Sequence, residues 1–98
     1  MVTATASIEA PALIGDGSRL EAGARVGPWA VLGERCRIGP GARVERSVLW
    51  DGVVVGADAV VGECVVGDDV NIGARARVGP GAVLASGTMV THGEAVGG

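Results

Sequence analysis

At 98 residues the chain has room for one domain of ordinary size, and its 48% hydrophobic content must build a core from Val, Ile, Leu and Ala, since there are two Trp and no Phe or Tyr. A net charge of -3, from eleven acids against eight arginines and no lysine, presents no basic patch for nucleic acid, and the missing aromatics remove the platforms on which single strands stack. Met1–Ser7 lacks a basic region followed by an apolar run, and nowhere do eighteen apolar residues follow one another, so the expectation is a soluble, cytoplasmic protein with no membrane contact.

An aliphatic residue recurs every six positions, often followed by Gly. In chain order these anchors are Ile8, Ile14, Leu20, Val26, Leu32, Ile38 and Val44, then Leu49, Val55 and Val61, then Val66, Ile72, Val78, Leu84 and Val90. A period of six fits neither a helix, which repeats near 3.6, nor a plain alternating strand, which repeats at 2. It fits a chain that makes a short strand, turns a corner and repeats, three hexapeptides to one triangular coil. The fold class is therefore all-β: a single-stranded parallel β-helix of about five triangular coils. The whole chain, 1–98, forms one domain with coils starting near 8, 26, 44, 61 and 78, and with terminal segments at 1–7 and 94–98.

Two steps, Val44 to Leu49 and Val61 to Val66, are five residues rather than six. They lie seventeen residues apart, so both shorten the same corner of successive coils and the stack survives. Inside the corners the register places Ala12, Ser18, Ala24, Ala30, Cys36, Ala42, Val53, Ala59, Val70, Ala76, Ala82 and Thr88. Small side chains suit a narrow triangle in which close packing tolerates little excess volume. The Gly39-Pro40-Gly41 and Gly79-Pro80-Gly81 triplets lack the continuation of a phosphate loop and open no helix. They read as corners, with Pro setting one turn dihedral and Gly accepting another.

The faces differ in what they show to solvent. The first carries Arg25, Arg43 and Arg77 with Glu9 and Glu45 nearby and reads as a solvated, salt-bridged surface. The second shows Leu13, Gly15, Val31, Gly33, Trp50, Gly67, Val83 and Ala85 and no charge. A flat uncharged face bearing a Trp is a candidate contact surface, with Trp50, Val31, Leu13, Val83 and Trp29 as its interface residues. The bland reading is that Trp50 covers Gly33 and Gly67. Asp16, Glu34, Asp51 and Asp68 stack one per coil at the next corner; a cation is the sharp reading and turn geometry the plain one.

No cofactor or metal site emerges. Cys36 and Cys64, at different corners, read as reduced thiols beyond disulfide reach. His92, in Val90-Thr-His-Gly-Glu, is the one candidate general base, but no second His and no loop inserted into the register accompany it, and one His cannot build a three-His zinc site.

The run from Ile38 through Ser47-Val48-Leu49-Trp50 to Gly56, followed by Glu63-Cys-Val-Val-Gly-Asp-Asp-Val-Asn-Ile-Gly73, resembles the C-terminal left-handed β-helix of sugar-nucleotide pyrophosphorylases, the mannose-1-phosphate guanylyltransferase type. The Leu-Trp pair, the seventeen-residue coils and the stacking of Ser47 over Cys64 carry the resemblance, which spans about Ile8 to Val90. It implies left-handed coiling and a non-catalytic assembly or regulatory role, with a second copy or a catalytic nucleotidyltransferase domain as partner. The catalytic domain of that family, with its Gly-rich nucleotide loop, has no counterpart in this sequence, so no catalytic residue carries over. The alternative is a minimal trimeric hexapeptide acyltransferase that uses His92 on an acyl thioester such as acyl-CoA.

Overall fold

The computed structural model describes residues 6–97. Strands of two or three residues sit at the anchors and form three parallel sheets, one per side of a prism measuring 31 × 20 × 20 Å. The first sheet stacks Ser7–Ile8, Arg25–Val26, Arg43–Glu45, Val60–Gly62, Arg77–Val78 and Ala95–Val96. The second stacks Ala12–Ile14, Ala30–Leu32, Val48–Leu49, Val65–Val66 and Val83–Leu84, and the third Arg19–Leu20, Arg37–Ile38, Val54–Val55, Asn71–Ile72 and Met89–Val90.

The register is the one the repeat predicts, and both five-residue steps leave it intact. Val26 pairs with Val44 and Val44 with Val61, while Leu32 pairs with Leu49 and Leu49 with Val66. Alternation then turns each anchor inward and the preceding residue outward. From Leu20 to Val90 all the anchors are buried, and each such Val, Leu or Ile side chain contributes about 1.5–3 kcal/mol of transfer free energy.

The corners obey a separate rule. Strand N–H groups donate to the coil that follows, as in Arg25 N to Ala42 O at 2.8 Å and Arg37 N to Val53 O at 2.8 Å. At each corner one N–H donates the other way, as in Arg35 to Asp16 O, Gly52 to Glu34 O, Gly41 to Ala22 O and Asp58 to Pro40 O. These backward donors have positive φ, including Gly41 (71°) and Gly81 (80°) of the two Gly-Pro-Gly corners. A residue with a Cβ pays roughly 1–2 kcal/mol for that conformation. Trp29, Arg35, Arg46, Asp58, Glu63, Asp69 and Arg75 accept it, and the backward hydrogen bond offsets the cost.

The predicted corner fillings from Ser18 to Ala82 are buried, while Ala12 and Thr88, nearer the open ends, are half-buried. Two Ser–Cys pairs satisfy the polar atoms among them. Ser18 Oγ donates to Gly33 O at 2.9 Å and accepts from Cys36 N at 3.1 Å, and the Cys36 thiol donates to Trp50 O at 3.0 Å. Ser47 Oγ donates to Glu45 O at 2.7 Å and accepts from both the N–H and the thiol of Cys64, at 3.4 and 3.6 Å. Both cysteines are buried and free, and burial raises each thiol's pKa above its ordinary value.

Two expectations require correction. The segment after Glu94 takes part in the prism, because Ala95–Val96 pairs with Arg77–Val78 and opens a further coil. The first face is solvated but not salt-bridged. Among the described residues the ion pairs are Arg35–Glu34 at 3.9 Å and Arg37–Glu21 at 3.4 Å, neither on that face. Arg25 and Arg43 stand directly opposite one another there, and a carboxylate adjacent in sequence is not placed within reach by that alone.

Candidate functional site

On the second face the outward residues are Leu13, Val31, Val48, Val65 and Val83, paired in register from one coil to the next. Their exposure runs from 37% for Val31 to 75% for Val83, so an unbroken aliphatic ladder faces solvent along five coils. Sequence reasoning found Leu13, Val31 and Val83 and missed Val48 and Val65. The signal was present, since each is the residue before an inward anchor, Leu49 or Val66. The misreading came from counting the residue after the anchor as part of the face. The strands Val48–Leu49 and Val65–Val66 end at the anchor, so Trp50 and Gly67 already belong to the corner.

The two tryptophans flank this ladder. Trp29 stands at the corner before Ala30–Leu32 and Trp50 at the corner after Val48–Leu49, 65% and 54% exposed. Gly33 is approached by the backbone of Trp50 and Asp51, where a Cβ would come 2.7 Å from the Trp50 carbonyl carbon, and Gly67 is approached by Ser86. The Trp50 side chain is about half exposed.

The two short corners cut a groove beside the ladder. Arg46 and Glu63 occupy five-residue corners, with Trp29 on one side and Gly81 on the other; Ser47 and Cys64 line the interior. Its volume is about 480 Å³, and Val48, Val65 and Val83 continue it onto the face. A second shallow depression, lined by Pro11, Ala12, Leu13, Trp29, Ala30 and Val31, lies on the other side of Trp29. Together they make a largely apolar surface with a projecting aromatic side chain, chemistry suited to contact.

The acidic corner is explained by the stack itself. Asp51 Oδ1 accepts the Glu34 N–H at 2.8 Å, Asp68 Oδ1 accepts the Asp51 N–H at 3.0 Å, and Ser86 Oγ takes the same place for Asp68 N at 3.1 Å. Asp51 and Asp68 thus each serve as a turn acceptor for the coil before. No group of His, Cys, Asp and Glu among the described residues is arranged to hold a metal ion.

His92 lies at an exposed turn after Val90, away from the groove-lining residues. Its neighbours Thr91 and Glu94 close that turn: Glu94 Oε1 accepts from Thr91 N at 2.8 Å and from Thr91 Oγ1 at 2.9 Å. Those bonds hold the Glu94 carboxyl below its ordinary pKa.

Three parallel faces, hexapeptide steps and inward aliphatic anchors define a hexapeptide-repeat β-helix, and solved structures share it. The chain is similar to the acetyltransferase domain of PglB from Neisseria gonorrhoeae FA1090 at a TM-score of 0.95, 24% identical, covering 99% of this chain and 48% of that one. The same domain in complex with acetyl coenzyme A matches at a TM-score of 0.90 and 24% identity, covering 97% of this chain and 49% of that one. The chain thus spans about half the length of these structures, and the shared fold is the left-handed β-helix. The family described as the EIF2B subunit epsilon LbH domain matches residues 1–96, and this chain belongs to it. No match was found among curated proteins. No helix among the described residues is long and apolar enough to cross a membrane.

Proposed function

We propose that this chain is a non-catalytic assembly module, of the kind attached to sugar-phosphate nucleotidyltransferases, and that its second face meets a second copy of itself. The observation that carries the reading is the uncharged ladder from Leu13 to Val83 flanked by Trp29 and Trp50. Exposed apolar area of this continuity marks contact surfaces, and tryptophan is enriched among the residues that dominate them. Membership of the LbH family supports a modular role, and the resemblance carried by Ser47-Val48-Leu49-Trp50 supports the nucleotidyltransferase setting.

Light scattering on the wild type and on Trp50→Glu tests the reading. An oligomer that becomes a monomer of unchanged circular dichroism is the expected result; a monomeric wild type sinks it. Acetyl-CoA turnover by the wild type, abolished in His92→Ala, would replace it with the acyltransferase reading.

A further inference from the structure

The arginines are unevenly distributed along the stack. Six of the eight fall between residues 19 and 46, against Glu21, Glu34 and Glu45, whereas residues 47–74 hold five acids and no base. Within the cationic part, Arg19 and Arg37 project from the third face as in-register partners on neighbouring strands, about 4.8 Å apart. Like charges placed directly opposite one another destabilise a sheet unless something neutralises them. Arg37 reaches Glu21 at 3.4 Å and Arg35 reaches Glu34 at 3.9 Å, the second pair largely exposed, and Arg19 has no ion pair among the described residues.

Arg35 joins them from the adjoining corner. Its φ is +56°, at a turn position where the coils on either side carry Gly17 and Gly52, which take this conformation without a Cβ penalty. A Cβ on Gly17 would lie 3.4 Å from Arg35 Cγ, so the glycine lets the aliphatic stem lie across the preceding coil. Arg19, Arg35 and Arg37, with Gly17, Cys36 and Val54, line one notch of about 330 Å³. The acids beside the notch are Glu21 and Glu34, one against Arg37 and one against Arg35, while the corner acids Asp51 and Asp68 are turned to backbone N–H groups and the face continues as Val54, Asn71 and Met89.

We propose that these three guanidiniums form a binding site for a phosphate-class dianion, a diphosphate or phosphate monoester. Planar guanidinium forks match the oxygen edges of such groups and bind them by charge-assisted hydrogen bonds. No aromatic side chain lines the notch, so recognition rests on the anion and not on a base. The site lies on the third face and does not depend on contact through the second.

Isothermal titration of the full chain with inorganic pyrophosphate at low ionic strength tests the proposal. Saturable binding is expected, weakened about tenfold or more in Arg35→Gly and in Arg19→Gln/Arg37→Gln, and unchanged in the first-face control Arg25→Gln/Arg43→Gln. Arg35→Gly keeps the turn in the conformation Gly17 and Gly52 already adopt, so lost binding there reports the guanidinium rather than the fold. ADP is expected to bind like pyrophosphate. Absence of saturable binding would overturn the site, as would equal loss in the first-face control, equal binding of citrate, or ADP binding more than tenfold tighter. Mass in solution reads the second-face proposal separately.

Discussion

Inside the prism, Val48–Leu49 of the second face and Arg37–Ile38 of the third are interchangeable: two residues of strand, the second buried against the same narrow core. Outside they diverge. Leu13, Val31, Val48, Val65 and Val83 make an uncharged stripe, whereas Arg19 and Arg37 put two like charges side by side. Because the inward residue alone answers to the core, the outward one is free to differ from face to face. Function in such a repeat therefore resides at the position the fold leaves unspecified.

The largest loss is expected at the inward residues that all faces share. Ile38→Ala removes a fully buried side chain and is expected to cost about 2–5 kcal/mol, measured by urea denaturation, with both exteriors lost together. Gly33→Ala tests the corner instead. Its Cβ would press on the Trp50–Asp51 backbone, and a cost of about 1–3 kcal/mol is expected by the same assay. Asp51→Ala deletes the acceptor for the Glu34 N–H, at about 0.5–1.5 kcal/mol, and faster amide exchange at Glu34 should accompany it. Val48→Glu, at the centre of the ladder, should change stability by less than about 1 kcal/mol yet abolish self-association in light scattering.

The smallest effect is at the C-terminal turn. The folded Glu94 carboxyl has a depressed pKa, so its bonds to Thr91 stabilise the turn at neutral pH and are lost as pH falls through that lowered value. An acid titration of the Thr91 amide shift should show this, and Glu94→Gln should flatten it.

Much of the fold was legible because each coil repeats the same demand. The period alone places Ile8, Val26, Val44, Val61 and Val78 on one face, even across two five-residue steps, since a slip would turn an aliphatic residue outward. The candidate site was less so. Val48 and Val65 each precede an inward anchor and are as legible as Val31; what a six-residue period does not mark is strand length, which puts Trp50 and Gly67 at the corner and not on the face. The Arg19–Arg37–Arg35 notch was invisible for another reason. It joins a face to a corner across two coils, and only the left-handed turn at Arg35 brings the third guanidinium to it. Ala95–Val96 is legible too, since Val96 follows Val90 by six residues, although the division at 94–98 passes over it.

Strand amides answer to the coil ahead and corner amides to the coil behind, so every storey is fastened only to its two neighbours. Storeys are therefore interchangeable units, and a duplicate of residues 44–60 would raise the tower by one level of about 4.8 Å without disturbing the rest. Because that unit carries the five-residue corner, the groove beside Trp29 would lengthen by the same increment. Its reach is a gauge, set by how many consecutive storeys omit one residue.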